Sequence, residues 1–330
     1  MMPLLLLGIV TIAFMLSHWT HGDPLSSVLS EKAMENPDVV AAAKKRWGLD
    51  KSLPEQYVIY VTNLAQGDLG TSFRTKRSVA RDLMDRLPAT LELVTAAMLI
   101  GSLLGIGLGV IAAKWRNSGI DHLARLVALI GSSMPAFWAG LIFLYTFTVA
   151  FDWLPGPGRL DADLTPPPVR TGLMAVDALL AGSPALFLNA LAHLVLPVAV
   201  LGWAVMGLIS RMVRANLLDV LNQDYVLLAR AKGAHESRVL VRHALRNALI
   251  PTVTIVGFSF AYLITGAVLT ETIFAWPGVG SYAVDSARSL DYPAIIGVSI
   301  LGGASFLLIN LLTDLIYVLI DPRIRLGEST

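Results

Sequence analysis

The sequence predicts an all-α membrane protein, and two observations carry this prediction: the composition and the spacing of long apolar runs. Of the 330 residues, 55% are hydrophobic and only 15% are charged, and the mean hydropathy is +0.65. Soluble domains are about 45–50% apolar and about 25% charged, so this chain is expected to cross a bilayer several times. The formal net charge of +1 excludes a globally basic nucleic-acid-binding protein as the default.

Six apolar runs lie along the chain, each close to the roughly 20 residues that cross a ~30 Å hydrocarbon core. The runs are Met1–His18, Pro88–Ala113, Leu123–Phe151, Leu191–Val213, Leu249–Thr270 and Pro293–Ile320. We therefore predict six transmembrane helices. The first run lacks a basic n-region and a small-x-small cleavage site, so we expect a retained span rather than a cleaved signal peptide.

Lys and Arg are concentrated in every second connection, and this sets the orientation because short cytoplasmic loops carry an excess of positive charge. The residues assigned to the cytoplasm are Lys114, Arg116, Arg125, Arg211, Arg214, Arg230, Lys232, Arg238, Arg242, Arg246, Arg323 and Arg325. The short loops on the opposite side carry Arg159, Arg170 and Arg288. Both termini are therefore expected in the cytoplasm.

This orientation divides the chain into four predicted segments. They are a first transmembrane helix (1–22), an extracytoplasmic cap (23–87), a five-helix core (88–321) with a cytoplasmic coupling loop at 215–248, and a cytoplasmic tail (322–330). The cap is too short to be an independent enzyme domain with a substantial core.

The segments outside the membrane have their own local patterns. In the cap, Ala41–Arg46 and Pro54–Leu64 predict helices and Gly67–Gly70 predicts a turn. The loop Trp153–Asn189 is rich in Pro and Gly, so we expect it to be stiff and not strongly helical. Ser281–Ser289 predicts a short helix in the third outside loop.

The sequence lacks the residues for several kinds of site. The chain has no Cys, which excludes disulfides, iron–sulfur clusters and Cys-ligated zinc. No Lys follows a Gly, so a phosphate-binding P-loop for ATP cannot occur. Hydrolase motifs are also absent. We expect no catalytic residue, no cofactor and no metal site in this chain.

Three polar side chains within the apolar runs are functional candidates by default. Glu92 follows Pro88, which predicts a proline at the first helical position and an acid near the positive end of the helix dipole. For His193, a satisfied histidine near a kinked helix end is favoured over a proton relay. For Asp314, an inter-helix hydrogen bond is favoured over an ion site.

A glycine series in the second run predicts helix packing. Gly101, Gly105 and Gly109 fall four residues apart on one helix face, where small residues let another helix approach closely. The stretch Gly105–Gly109 superficially suggests a dinucleotide-binding loop, but it lies inside a span without a preceding strand. Packing is the better interpretation.

The strongest functional signal is the cationic, helix-prone stretch Asn222–Pro251. Its first part predicts an amphipathic helix, Gly233 predicts the left-handed residue that ends this helix, and a second helix is expected from Glu236. A basic segment lying on anionic lipid explains the arginines but not the small-residue turn. We interpret the stretch as a docking surface for a soluble ATPase. The proposed coupling residues are Asp224, Tyr225, Leu228, Ala229, Arg230, Ala231, Lys232, Gly233, Ala234 and Arg238, with Gly233 and Pro251 as hinges.

Several short motifs occur in order along the chain. They are His21–Pro24, Gln66–Phe73, Arg86–Leu93, Ser133–Trp138, His193–Pro197, Gln223–Gly233, Arg242–Pro251, Trp276–Gly280, Asp291–Pro293 and Asp321–Arg323. Together they resemble the permease subunits of binding-protein-dependent ABC importers, in the dipeptide/oligopeptide/nickel branch. Two departures stand out: His21 replaces the first proline of a PGDP element, and Leu227 occupies the position of the glutamate in the family's EAA loop.

The resemblance implies a type I ABC importer permease of the cell inner membrane, without enzymatic activity of its own. It implies a paralogous permease as a heterodimer partner, two cytoplasmic ATPase subunits that bind ATP and Mg, and an extracytoplasmic substrate-binding protein. The implied mechanism is alternating access. Peptides are the first expectation for the substrate, with nickel or another small solute as the alternative. A secondary transporter or channel without ATPase partners is the competing functional class.

Overall fold

The computed structural model describes residues 2–19, 25, 29, 31–47 and 49–320. Within these residues the chain is helical, and the predicted all-α class is confirmed. The α-helices are α1 (Met2–Trp19), α2 (Glu31–Met34), α3 (Pro37–Trp47), α4 (Leu53–Ala65), α5 (Val79–Lys114), α6 (Gly119–Ser133), α7 (Ala136–Phe143), α8 (Met174–Leu180), α9 (Pro184–Leu221), α10 (Asp224–Ala231), α11 (Glu236–Arg238), α12 (Arg246–Ala248), α13 (Ile250–Gly266), α14 (Val268–Ile273), α15 (Val279–Arg288) and α16 (Tyr292–Ile320). Two π-helical segments are π1 (Leu144–Ala150) and π2 (Val239–Leu245).

Two motifs and the C-terminal tail named in the sequence lie outside the described residues. These are the motifs His21–Pro24 and Asp321–Arg323, and the tail 322–330 with Arg323 and Arg325.

Several helices are long and apolar enough to cross a membrane. In the described part of the chain, three single helices meet this requirement: Val79–Lys114, Pro184–Leu221 and Tyr292–Ile316. Two bent pairs add Gly119–Ser133 with Ala136–Ala150 at 105°, and Glu236–Ala248 with Ile250–Gly266 at 53°. The described residues thus contain up to five candidate spans by length and composition. Helix α1 covers the first predicted run, and the count of six spans, like the orientation, stays a prediction.

Helix α5 begins at Val79, so the expectation that Pro88 occupies the first helical position is wrong. Pro88 lies inside α5, and Glu92 lies in about the fourth turn rather than the second. The residues before Pro88 are helical because one face of this segment is buried, with Val79 and Leu83 packed against Tyr282. This burial compensates for the backbone hydrogen bond that a proline removes.

The third predicted run is not one straight helix. α6 ends at Ser133 and α7 begins at Ala136, with a bend of 105° between the two parts. Pro135 has no backbone N–H and disfavours the helical conformation of the preceding residue. Met134 is accordingly extended, with φ −74° and ψ 127°. The following loop, Trp153–Asn189, contains α8 and the start of α9, which is more helix than its proline content suggested.

The chain forms two compact units, and the first contains residues 1–90 and 277–307. Its buried Asp291 holds the cap turn at residues 67–74. The Asp291 carboxylate accepts hydrogen bonds from the Ser72 hydroxyl and from two backbone N–H groups at 3.0 and 3.2 Å. Gly70 has φ +84°, which confirms the predicted turn. This cap turn is therefore fixed to the start of α16.

Among the described residues, the second unit contains 91–276 and 308–320, and in it α5 packs closely on α9. A Cβ added to Gly101 would lie 2.6 Å from the carbonyl oxygen of Gly202. A Cβ on Gly105 or Gly109 would lie 2.9 or 2.8 Å from atoms of α9. The prediction that these glycines allow close helix packing is confirmed.

The contact predicts a difference between two alanine substitutions in α5. Gly101→Ala must displace α9, so we expect it to lower the free energy of unfolding by about 1–3 kcal/mol. Gly107→Ala is the matched control, because a Cβ there has no other atom within 4 Å. Thermal unfolding of the detergent-solubilised protein measures both, and equal unfolding temperatures for the two variants would contradict the close contact.

Candidate functional site

The stretch 222–251 forms a helical hairpin whose first arm is α10. Val226 is fully buried, although the two residues that precede it in α10, Asp224 and Tyr225, are exposed. The Tyr225 hydroxyl accepts a hydrogen bond of 2.7 Å from Nδ2 of Asn247 in the second arm. The two arms are therefore joined by a side-chain contact as well as by the turn.

The turn of the hairpin depends on Gly233. Its φ is +79°, which confirms the predicted left-handed residue, and a Cβ there would meet no atom within 4 Å. The backbone N–H of Ala234 donates to the carbonyl of Ala229 at 3.1 Å, which closes the end of α10. Because the space around Gly233 is open, its backbone conformation and not its size is what demands glycine.

An ion pair bridges the two sides of this turn. Nε and Nη2 of Arg230 donate to the Glu236 carboxylate at 3.1 and 2.6 Å. The Glu236 carboxylate raises the pKa of Arg230 through this hydrogen bond. The pair is well exposed, so it fixes the shape of the turn more than it stabilises the fold.

The second arm contains α11, π2 and α12 and has one buried and one exposed face. Its Leu240, Ala244 and Ala248 pack with Leu217 of α9 and Ala113 of α5. The exposed face carries Arg238, Val241, Arg242 and Arg246. The sequence predicted an ordinary α-helix here, but residues 239–245 form a π-helix. The base of the hairpin therefore packs against the ends of α5 and α9 that are predicted to lie on the cytoplasmic side.

The structure brings the proposed coupling residues onto one hairpin, but not all onto its surface. The exposed members are Asp224, Tyr225, Leu228, Arg230, Ala231, Lys232, Gly233 and Arg238. Ala229 and Ala234 are half-buried where the turn closes. Pro251 lies in the first turn of α13, directly after the 53° bend. The participation of these residues in coupling stays a prediction.

Sequence reasoning missed three apolar residues of the hairpin. Leu227 and Val241 are 50% and 59% exposed and add an apolar surface beside the cationic one. Val226 is the buried residue of α10, and it was not among the residues that the sequence singled out. The short helix offers two turns only, which is too little periodicity to separate the faces.

A buried ion pair ties α6 to α9, the helix that leads into the hairpin. Asp121 is fully buried, and its carboxylate accepts hydrogen bonds of 2.8 Å each from Nε and Nη2 of Arg214. The backbone N–H of Asn117 donates to the same carboxylate at 2.9 Å, and Arg125 lies 3.3 Å away. Sequence reasoning used Arg214 only for orientation, because the two partners are 93 residues apart.

The three polar candidates of the apolar runs have different surroundings. Glu92 accepts a hydrogen bond of 2.5 Å from Arg159 and one of 2.8 Å from the backbone of Ala175. His193 is buried, with Nδ1 3.1 Å from the carbonyl of Asn189, as expected for a satisfied histidine. Asp314 is exposed, and among the described side chains none forms the expected inter-helix hydrogen bond with it.

In the described part of the chain, no group of three or more His, Cys, Asp or Glu side chains could hold a metal ion. The exposed surface of the hairpin combines arginines, small residues and an apolar patch.

Comparison with known proteins gives a consistent result over the whole chain. A family model described as binding-protein-dependent transport system inner membrane component matches residues 105–326, and the corresponding N-terminal model matches residues 2–94. The chain is 43% identical to the probable D,D-dipeptide transport system permease protein DdpB of Escherichia coli (strain K12), over 98% of this chain and 95% of that protein. It is 45% identical to the di/tripeptide transport system permease protein DppB of Pseudomonas aeruginosa (strain UCBPP-PA14), over 96% and 94%.

Among solved structures, an amino acid ABC transporter crystallised with histidines is similar in fold. The TM-score is 0.50 at 14% sequence identity, and the match covers 74% of this chain and 95% of the other. At this identity the similarity concerns the fold alone.

The geometry predicts that the Asp121–Arg214 pair contributes more to stability than the Arg230–Glu236 pair. Asp121→Asn removes the charge partner of Arg214, whose side chain is 21% exposed, and we expect a loss of about 2–4 kcal/mol in the free energy of unfolding, below that of a fully buried pair. Glu236→Gln breaks an exposed pair and should cost at most about 1 kcal/mol. Unfolding of the solubilised protein in denaturant measures both losses.

A double variant separates the pair from general damage at the site. If the pair is the cause, Asp121→Asn combined with Arg214→Met should lose less stability than the sum of the two single variants. Additive losses would show that the two side chains do not depend on each other.

Proposed function

The chain belongs to the family of binding-protein-dependent transport system inner membrane components, and from this premise we propose that it is one permease subunit of an ATP-driven peptide importer. It is a multi-pass inner membrane protein without enzymatic activity of its own. The hairpin 222–251 is its contact with a cytoplasmic ATPase. The observation that carries this proposal is the exposed turn at Gly233, set on a base that is buried against α5 and α9.

The proposed mechanism is alternating access driven through the hairpin. ATP-dependent closure of two ATPase subunits moves α10, and the hairpin passes the displacement to α9 and α13, which continue directly from its two ends. Hydrolysis resets the arrangement. ATP and Mg are bound by the ATPase subunits, in keeping with the absence of a P-loop from this sequence. Because Leu227 replaces the family's glutamate, the contact relies on the arginines and the apolar patch instead.

Peptides are the proposed substrate class, supported by the names of the two relatives, a probable D,D-dipeptide and a di/tripeptide transport system permease protein. A peptide carries polar backbone groups that hydrocarbon cannot satisfy. The transport path is therefore a wet cavity, which this chain forms together with a paralogous permease. An extracytoplasmic binding protein delivers the peptide and sets much of its selectivity.

Substitution of Gly233 tests the coupling role. Gly233→Val places a β-branched residue at φ +79° and distorts the turn, so we expect peptide uptake to fall at least about tenfold while the ATPase activity of the assembled complex persists. Gly233→Asn is the matched control, since asparagine tolerates the left-handed conformation. Uptake into proteoliposomes and ATP hydrolysis are measured together. Normal uptake by the valine variant would refute coupling through this turn.

A single cysteine tests the location of the hairpin. The natural chain has no cysteine, so Lys232→Cys introduces a unique thiol on an exposed position. In intact cells we expect labelling by a membrane-permeant maleimide and protection from an impermeant one. Labelling by the impermeant reagent would place the hairpin on the wrong side for an ATPase partner.

A further inference from the structure

A cavity of about 310 Å³ lies within the unit formed by residues 1–90 and 277–307. Its walls come from α1, α3, α4 and the start of α16, together with the turns between them. The volume falls at the lower end of the range of small-molecule sites. The proposed transport cycle assigns it no task.

One part of the cavity wall is apolar and aromatic. Phe14 of α1 and Ile296 of α16 contribute to it, and the Phe14 ring lies 6.4 Å from the ring of Tyr60 between centroids. Phe73 and Tyr292 form a second aromatic pair at 6.4 Å. Phe14 and Ile296 lie on strongly apolar helices, so this wall belongs to the part of the unit that we expect at the level of the bilayer.

The other part of the wall is cationic and polar. Lys45 and Lys51 line it, and among the described residues that line the cavity there is no Asp or Glu. The Tyr60 hydroxyl is buried and has no hydrogen-bond partner in the described part of the chain. Burial and then the charge of Asp68 raise the pKa of Tyr60, which keeps this hydroxyl protonated as a donor.

We propose that this cavity binds an anionic phospholipid of the surrounding bilayer, with the phosphate near Lys45 and Lys51 and the first acyl carbons against Phe14 and Ile296. The two lysines select a negative charge. The apolar wall selects an attached hydrocarbon chain, which a free phosphate or a short peptide lacks.

Photocrosslinking in nanodiscs tests the proposal with the full-length chain. The probe is phosphatidylglycerol with a diazirine on an acyl carbon near the headgroup, diluted in phosphatidylethanolamine, and the adducts are mapped by mass spectrometry. We expect adducts on peptides that contain Phe14, Tyr60 or Ile296. Lys45→Gln or Lys51→Gln should each reduce the yield roughly fivefold, and the double variant about 30-fold.

Lys44→Gln is the matched control, because Lys44 is an exposed neighbour on α3 that does not line the cavity. It should leave the adduct yield unchanged. Unfolding temperatures show which variants keep the fold, and if the double variant does not fold, each single variant is compared with Lys44→Gln. Three results would overturn the proposal: no adducts at the cavity, equal yields from a phosphatidylethanolamine probe, or loss of the adducts on adding inorganic phosphate or a dipeptide.

Discussion

The close contact between α5 and α9 is the constraint on which the second unit depends. Helices in a bilayer gain little from the hydrophobic effect, because lipid tails are as apolar as leucine, and they associate mainly through close packing. The three glycines of α5 let its backbone approach α9 to a distance that any side chain would prevent. α9 is 38 residues long and carries Arg214 and the base of the hairpin. The position of α9 therefore determines where Arg214 and the hairpin lie.

Buried charges in this chain join segments that are distant in sequence. Asp121 holds Arg214, and Glu92 holds Arg159, while Asp291 accepts hydrogen bonds from the cap turn. Each carboxylate has several donors, as burial requires, since an unpaired charge in such surroundings is costly. Their hydrogen bonds and ion pairs explain these three carboxylates as structural links between distant segments. It also explains why polar residues in the apolar runs need not mark a transport path.

The hairpin separates two tasks between its two faces. Val226, Leu240 and Ala244 face inward and hold it to the rest of the unit. The outer face combines arginines with exposed Leu227 and Leu228, a mixture that suits a protein partner better than water. The left-handed residue Gly233 and the Arg230–Glu236 pair define the shape of the turn. In the proposed docking, a preformed shape lowers the entropic cost of binding.

The sequence by itself determined the helical class, the apolar spans, the glycine face of α5 and the left-handed turn at Gly233. These features follow from composition or from patterns that repeat within a few residues, and such patterns act wherever the chain lies. The tertiary structure alone decided that Asp121 pairs with Arg214, that Val226 is the buried residue of α10, that residues 239–245 adopt a π-helix and that Pro88 lies inside α5. Each of these outcomes depends on a neighbour brought close by packing, which no local pattern encodes.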